Sequence, residues 1–215
     1  MSPRSSASGA NGHAKPRGKK AGGRAKAAHA PKHHTGPDVA ALERFLLSIG
    51  VDADRDPEYS VTATLLSELL VERTSGLRDG PPVLRPLPFV GRPGESVTIE
   101  GITFYGLCPH HLVPYIGEAS VRFAPLDRIC GAGALVRAVR ELALVPRLQE
   151  HLTQEIADLV ERAMAPRAIE VRVHARHLCM ELKGSGSNAR LSTEAKRGEA
   201  LPPTGAARRS GTRRR

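Results

Sequence analysis

The 215-residue sequence predicts a single α+β domain with helices covering one face of an antiparallel sheet. Three observations carry this expectation. Apolar residues recur at helical spacing in two runs before residue 71 and in two more between 134 and 164, and three further segments alternate or are β-branched. The order that results is ααββααβ, with strands close enough in sequence to pair.

Taken in order, Val39, Leu42, Phe45, Leu46 and Ile49 follow Pro37-Asp38 and stop at Gly50, which predicts a helix over 38–49. Val61, Leu65, Leu66, Leu69 and Leu70 mark a second helix that ends before Gly76. Residues 78–94 hold five Pro and three Gly and read as a long irregular connection. Segments 97–105 and 112–123 mix β-branched with polar residues and read as strands flanking a short insert. Leu135, Val136, Val139, Leu142 and Ala143 mark a third helix stopped near Pro146. A fourth runs through Leu148, Leu152, Ile156, Leu159, Val160 and Met164 to Pro166. Ile169, Val171, Val173, Ala175 and His177 then alternate with Glu170, Arg172, His174 and Arg176, the pattern of a strand with one buried face.

Aromatics make up only 3% of the chain and Trp is missing, so the core must rest on Leu, Val, Ile and Ala. No stretch approaches the roughly 20 apolar residues of a membrane-spanning helix, and the start Met1-Ser2-Pro3-Arg4 has no signal-peptide core, so the expectation is a cytoplasmic protein. Three cysteines do not make a disulfide framework. The net charge of +10 sits at the ends: residues 1–37 carry +8 and residues 193–215 carry +5, which leaves −3 on residues 38–192. Both ends are poor in large apolar residues and are expected to be disordered basic tails. Solvated tails with weak attraction to polyanions are the simple reading, and a docking arm for nucleic acid or a partner is the alternative.

The chemistry concentrates in two places. The insert reads Cys108-Pro109-His110-His111, and the last strand ends His177-Leu178-Cys179. A Cys and a His three residues apart with one distant Cys make a three-ligand zinc arrangement with an open fourth position, the pattern of a catalytic metal. His110 or His177 as a fourth ligand would instead make a closed structural site, and buried cysteines without metal are the third possibility. With an open position, zinc makes hydroxide available near neutral pH, and the spare imidazoles are suited to proton transfer. Hydrolysis or hydrolytic ring opening at an electrophilic carbon follows. Cys130 stands apart and reads as a small core residue.

The run Phe104-Tyr105-Gly106-Leu107-Cys108-Pro109-His110-His111-Leu112-Val113-Pro114 resembles the GTP cyclohydrolase I family, as do residues 146–153 and His177-Leu178-Cys179. The resemblance covers roughly 38–192 and is strong from 97 to 180. It implies the tunnelling fold, a small antiparallel sheet with two long helices on one face behind an N-terminal helical part, assembled into a toroidal homodecamer. Cys108, His111 and Cys179 then match the zinc ligands, and His110 and His177 the proton-transfer histidines. Glu150 matches the carboxylate that anchors the purine, and Gln149 its pocket neighbour. The activity implied is opening of the guanine imidazole ring of GTP, loss of formate and reclosure to 7,8-dihydroneopterin triphosphate.

Departures from the family pattern gather at the phosphate end. Gly133 and Ala134 stand where a Ser and a Lys are usual, Lys183 replaces an Arg, and Pro109 replaces the Glu of the insert. Arg137 keeps a basic position on the third helix. Beside ring opening of GTP, two alternatives follow: the same chemistry on a purine nucleotide with fewer phosphates, and a non-catalytic zinc-bound paralogue that assembles with an active ring.

Overall fold

The computed structural model describes residues 36–90, 92, 94–183 and 186–201. The N-terminal part opens with α1 (Val39–Ser48), capped by the Asp38 side chain, which accepts from the Ala41 amide at 2.9 Å. The chain leaves this helix through Gly50, whose φ of 91° is open to glycine at little cost. A single 3₁₀ turn, Pro57–Val61, leads into α2 (Thr62–Arg73), which packs on α1, and α3 (Gly76–Asp79) follows. Leu46, Ala63 and Ser67 are buried between these elements, while Phe45, Leu65 and Leu69 are exposed.

The proline-rich connection is irregular apart from β1 (Leu87–Pro88). Next come β2 (Val97–Leu107) and β3 (Pro114–Ala124), joined by a six-residue turn, and then β4 (Arg128–Ile129), which pairs with β1. Two helices, α4 (Ala132–Leu142) and α5 (Gln149–Met164), precede β5 (Ala168–His177). The last elements are α6 (Leu178–Leu182) and β6 (Arg190–Gly198). The main sheet has the order β2-β3-β5-β6 with every pair antiparallel, and α4 and α5 lie on one of its faces. This is the α+β layout expected of the tunnelling fold. Among the described residues no helix is long and apolar enough to cross a membrane.

Alternation decides which side chains meet the helices. The odd-numbered residues of β3 and β5, from Tyr115 to Phe123 and from Ile169 to Ala175, are buried with Leu135, Val139, Leu152, Ile156 and Val160. The even-numbered residues of β3, β5 and β6 face the other way and carry the charges: Arg122, Glu170, Arg172, Glu194 and Lys196 form a cross-strand ion-pair ladder. Cys130 is buried in the core, as its sequence context predicts.

One boundary differs from the sequence expectation. A domain end at 192 and a disordered tail from 193 cannot hold, because β6 pairs with β5 from Arg190↔Arg176 to Gly198↔Ala168. Only Leu191 and Ala195 are aliphatic on its helix-facing side, so hydrophobic alternation is too thin to announce the strand. Polar contacts hold it instead, with the Arg197 Nη2 donating to Gln154 and Asp158 of α5 at 2.7 and 2.8 Å. Residues 1–35 and 202–215, where the remaining tail expectations fall, lie outside the described residues.

Candidate metal centre and its histidines

The β2–β3 turn is closed by two backbone bonds, Cys108 N to Val113 O at 3.0 Å and Leu112 N to Cys108 O at 2.9 Å. Leu112 adopts φ 52°, a left-handed conformation costly for a branched side chain. The turn carries Cys108, His110 and His111. Pairing of Tyr115 with His177 brings the end of β5 alongside it, and α6 then presents Cys179. Cys108, buried, His111, exposed, and Cys179, half-buried, place their ligand atoms within 4.8 Å of one another.

The donor set fits zinc. Tetrahedral zinc with thiolate bonds near 2.3 Å and imidazole bonds near 2.1 Å needs sulfur and nitrogen about 3.6 Å apart. The Cys108 Sγ to His111 Nδ1 distance is 3.8 Å. His110 Nδ1 also lies 3.8 Å from Cys108 Sγ, but the group that closes on Cys179 contains His111. Burial, and then the neighbouring Cys108 thiol, push the Cys179 thiol above its ordinary range.

Behind the centre stands His177. Its ring is stacked on Tyr115, with centroids 4.7 Å apart and planes 6° from parallel. Its Nε2 lies 2.9 Å from Gln149 Oε1. Burial lowers its pKa, and the Glu150 carboxylate opposes that shift. Tyr115 is fully buried, meets Phe104 edge-to-face at 5.9 Å, and has its phenol pushed up to about 12 by burial. Its hydroxyl has no hydrogen-bond partner among the described residues. Gly106 lies against the ring, and a Cβ there would sit 2.4 Å from Tyr115 Cζ.

The other residues singled out in the sequence are placed as follows. Glu150 is exposed in the first turn of α5, where the helix dipole favours a carboxylate. Gln149, expected as a pocket neighbour of the purine, is fully buried and spends its amide inside the protein. Arg137 is exposed on α4 and lines a cavity of about 560 Å³ with Arg73, Arg140 and Tyr105, a cavity that Cys108, His111 and Cys179 do not line. Lys183 is exposed just past α6. Sequence reasoning missed Tyr115, Thr153 and Thr193, the last two because short polar residues in an amphipathic helix and an edge strand carry no local signal.

A four-stranded antiparallel sheet backed by two helices, with a Cys-His-Cys group at one end, defines a tunnelling-fold protein with a candidate metal centre. Residues 39–208 match the GTP cyclohydrolase I family, and the chain belongs to that family. It is 43% identical over 159 residues to GTP cyclohydrolase 1 of Aquifex aeolicus, covering 74% of this chain and 84% of the relative. It is 36% identical over 145 residues to that of Streptococcus agalactiae, covering 67% and 77%. Over a shorter stretch of 90 residues it is 44% identical to that of a Hydrogenobaculum species, spanning 42% of this chain and half the length of the relative. Among solved structures, an archaeosine synthase QueF-like protein in the apo form aligns at TM-score 0.37 and 16% identity over 51% of this chain and 98% of its own, too remote to bear on function.

Proposed function

We propose that the protein hydrolytically opens the guanine imidazole ring of GTP, releasing formate and yielding 7,8-dihydroneopterin triphosphate, with zinc held by Cys108, His111 and Cys179. The observation that carries this reading is the closure of those three ligand atoms within 4.8 Å at the end of the sheet that also presents His177. Zinc bound there supplies a hydroxide nucleophile near neutral pH. His177, whose pKa burial lowers, can take up and return a proton as the ring opens. His110, exposed on the same turn, is the second imidazole within reach. Glu150 offers an outward carboxylate at the start of α5, suited to accept from the guanine N–H groups.

Arg137 and Lys183 are the basic residues assigned to the triphosphate. Arg137 lines a cavity separate from the metal residues, which supports a homo-oligomeric ring, a decamer by family likeness, in which neighbouring copies complete each site. A second reading is favoured by Gly133 and Ala134: with neither hydroxyl nor ammonium at the start of α4, a nucleotide with fewer phosphates would lose little.

The test is formate release by the zinc-loaded protein from GTP, GDP, GMP and guanosine, followed alongside the fluorescence of the oxidised pterin. Preference for GTP supports the first reading, and equal turnover of GTP and GMP supports the second. No formate from any of them, or turnover undiminished in a zinc-free Cys108→Ala protein, overturns the assignment.

A further inference from the structure

We propose that Gln149 is a positioning residue, which fixes the orientation and tautomer of His177 without touching the substrate. This builds on the ring-opening reading, in which His177 transfers a proton. Gln149 is the first residue of α5 and is fully buried, so it offers no surface to a nucleotide. Its side chain reaches under the sheet instead. The Nε2 group lies 3.1 Å from Val173 O, 3.2 Å from Leu191 O and 3.0 Å from Thr193 Oγ1.

These partners determine which way the amide faces. Backbone carbonyls only accept, so the group pointing at Val173 and Leu191 must be the NH₂, and a flipped amide would set oxygen against two oxygens. The threonines complete the direction of donation. The Thr153 hydroxyl donates to Gln149 O at 2.8 Å and has no second proton to give. At 2.6 Å from it, the Thr193 hydroxyl must therefore donate to Thr153, which leaves a Thr193 lone pair facing the Gln149 NH₂, whose two protons are shared among these three acceptors.

With the NH₂ committed, Oε1 is the atom facing His177, and it can only accept. His177 must then carry a proton on Nε2. In the neutral ring the free lone pair is on Nδ1, so Nδ1 is the atom that exchanges a proton with the substrate. Tyr115 fixes the ring plane by stacking at 4.7 Å, and it can lie there because Gly106 has no side chain. A ring flip would take the Nε2 proton away from the only acceptor Gln149 offers. The imidazole is thus held in one plane and one tautomer by α5, β3 and β6 together.

The experiment is a double-mutant cycle on the zinc-loaded full-length protein. Gln149→Ala should lower kcat for formate release about tenfold to a hundredfold, the scale of misplacing a reacting group by about 1 Å, with KM and zinc content within about twofold of wild type. In a His177→Ala background the same substitution should change kcat by less than about twofold. A rise in KM that accounts for the loss would make Gln149 a substrate ligand, and an equal loss in both backgrounds would make it merely structural; either overturns the proposal. If Gln149→Ala does not fold, the tautomer of His177 in the wild-type protein decides the proposal. Nitrogen-15 NMR of labelled histidine gives a readout independent of turnover. The His177 signal, identified by its loss in His177→Ala, should show protonated Nε2 in wild type and mixed tautomers without the Gln149 amide. A protonated Nδ1 in wild type overturns the proposal even if no formate is ever released, and a wild type that shows protonated Nε2 but releases no formate refutes only the function assigned above.

Discussion

Replacing Gly106 by Ala should disturb the site while adding only a methyl group. Its φ is not in the left-handed region, so backbone conformation alone would favour the substitution by about 0.4–1 kcal/mol through the unfolded chain. The side chain meets a different situation. An added Cβ would lie 2.4 Å from Tyr115 Cζ, 2.6 Å from its Oη and 2.7 Å from its Cε1, where ordinary contact begins near 3.4 Å, so the ring must retreat by about 1 Å. Tyr115 is fully buried, with Phe104 edge-on to its ring and His177 stacked on it. Overpacking of this kind costs about 1–3 kcal/mol, so the net destabilisation after the backbone gain lies between about 0 and 2.6 kcal/mol. The His177 ring, stacked on Tyr115, moves with it, and a shift near 1 Å is enough for about a hundredfold loss of kcat. Urea unfolding and steady-state formate release measure the two effects. Adding Tyr115→Leu, which deletes the three clashing atoms, should cost less stability in the Gly106→Ala protein than in wild type and leave kcat low. Gly106→Ala with wild-type stability and kcat would refute the packing reasoning.

Three further outcomes are expected. Tyr115→Phe removes a buried hydroxyl that has no partner among the described residues, and should raise unfolding stability by about 1 kcal/mol; a loss of that size would show that the hydroxyl is satisfied in the folded protein. Ala134→Lys should lower KM for GTP about tenfold and leave GMP unaffected, since a charge-assisted contact worth about 1.5–3 kcal/mol is set against about 0.3–1 kcal/mol for a cation near a helix N-terminus; equal KM for GTP would place the triphosphate elsewhere. The Glu194 carboxyl is held down to about 2, first by Arg172 and then by Lys196, so what it adds to stability is present above the ordinary carboxylate range and lost as pH falls from about 4.5 toward 2. Because the pair is solvent-exposed, Glu194→Gln should cost at most about 1 kcal/mol at pH 6 in low salt and progressively less by pH 3, and a cost that grows on acidification would contradict the ladder.

Much of the fold was legible because its strongest elements are periodic. The alternation from Ile169 to His177 and the helical stripe from Leu152 to Met164 each state their own geometry. The Cys-His-Cys grouping was legible for another reason: soft ligands are rare, and three of them at two chain positions point to one place. What the sequence hid are the features that depend on long-range pairing. β6 has few apolar residues, and its strand character comes from β5 and from the ties between Arg197 and α5. Gln149 looks like an ordinary first-turn polar residue until the β5 and β6 carbonyls that receive its amide are in view. Arg137 and Lys183 were identifiable as basic positions, but neither spacing nor composition could show that Arg137 opens onto a cavity of its own.

The strand at the sheet edge also works as a ruler. Thr193 and Leu191 meet the α5 side because they sit at odd positions in a segment whose pairing is counted from Arg190↔Arg176. Deleting one residue ahead of Arg190, if the pairing positions stayed filled, would bring Ser192 and Glu194 to that side and put a carboxylate where the Gln149 amide now finds a hydroxyl. Extensions placed after Leu201 leave the count unchanged. A one-residue deletion that shifts the strand should therefore cost this protein far more than an extension placed after it.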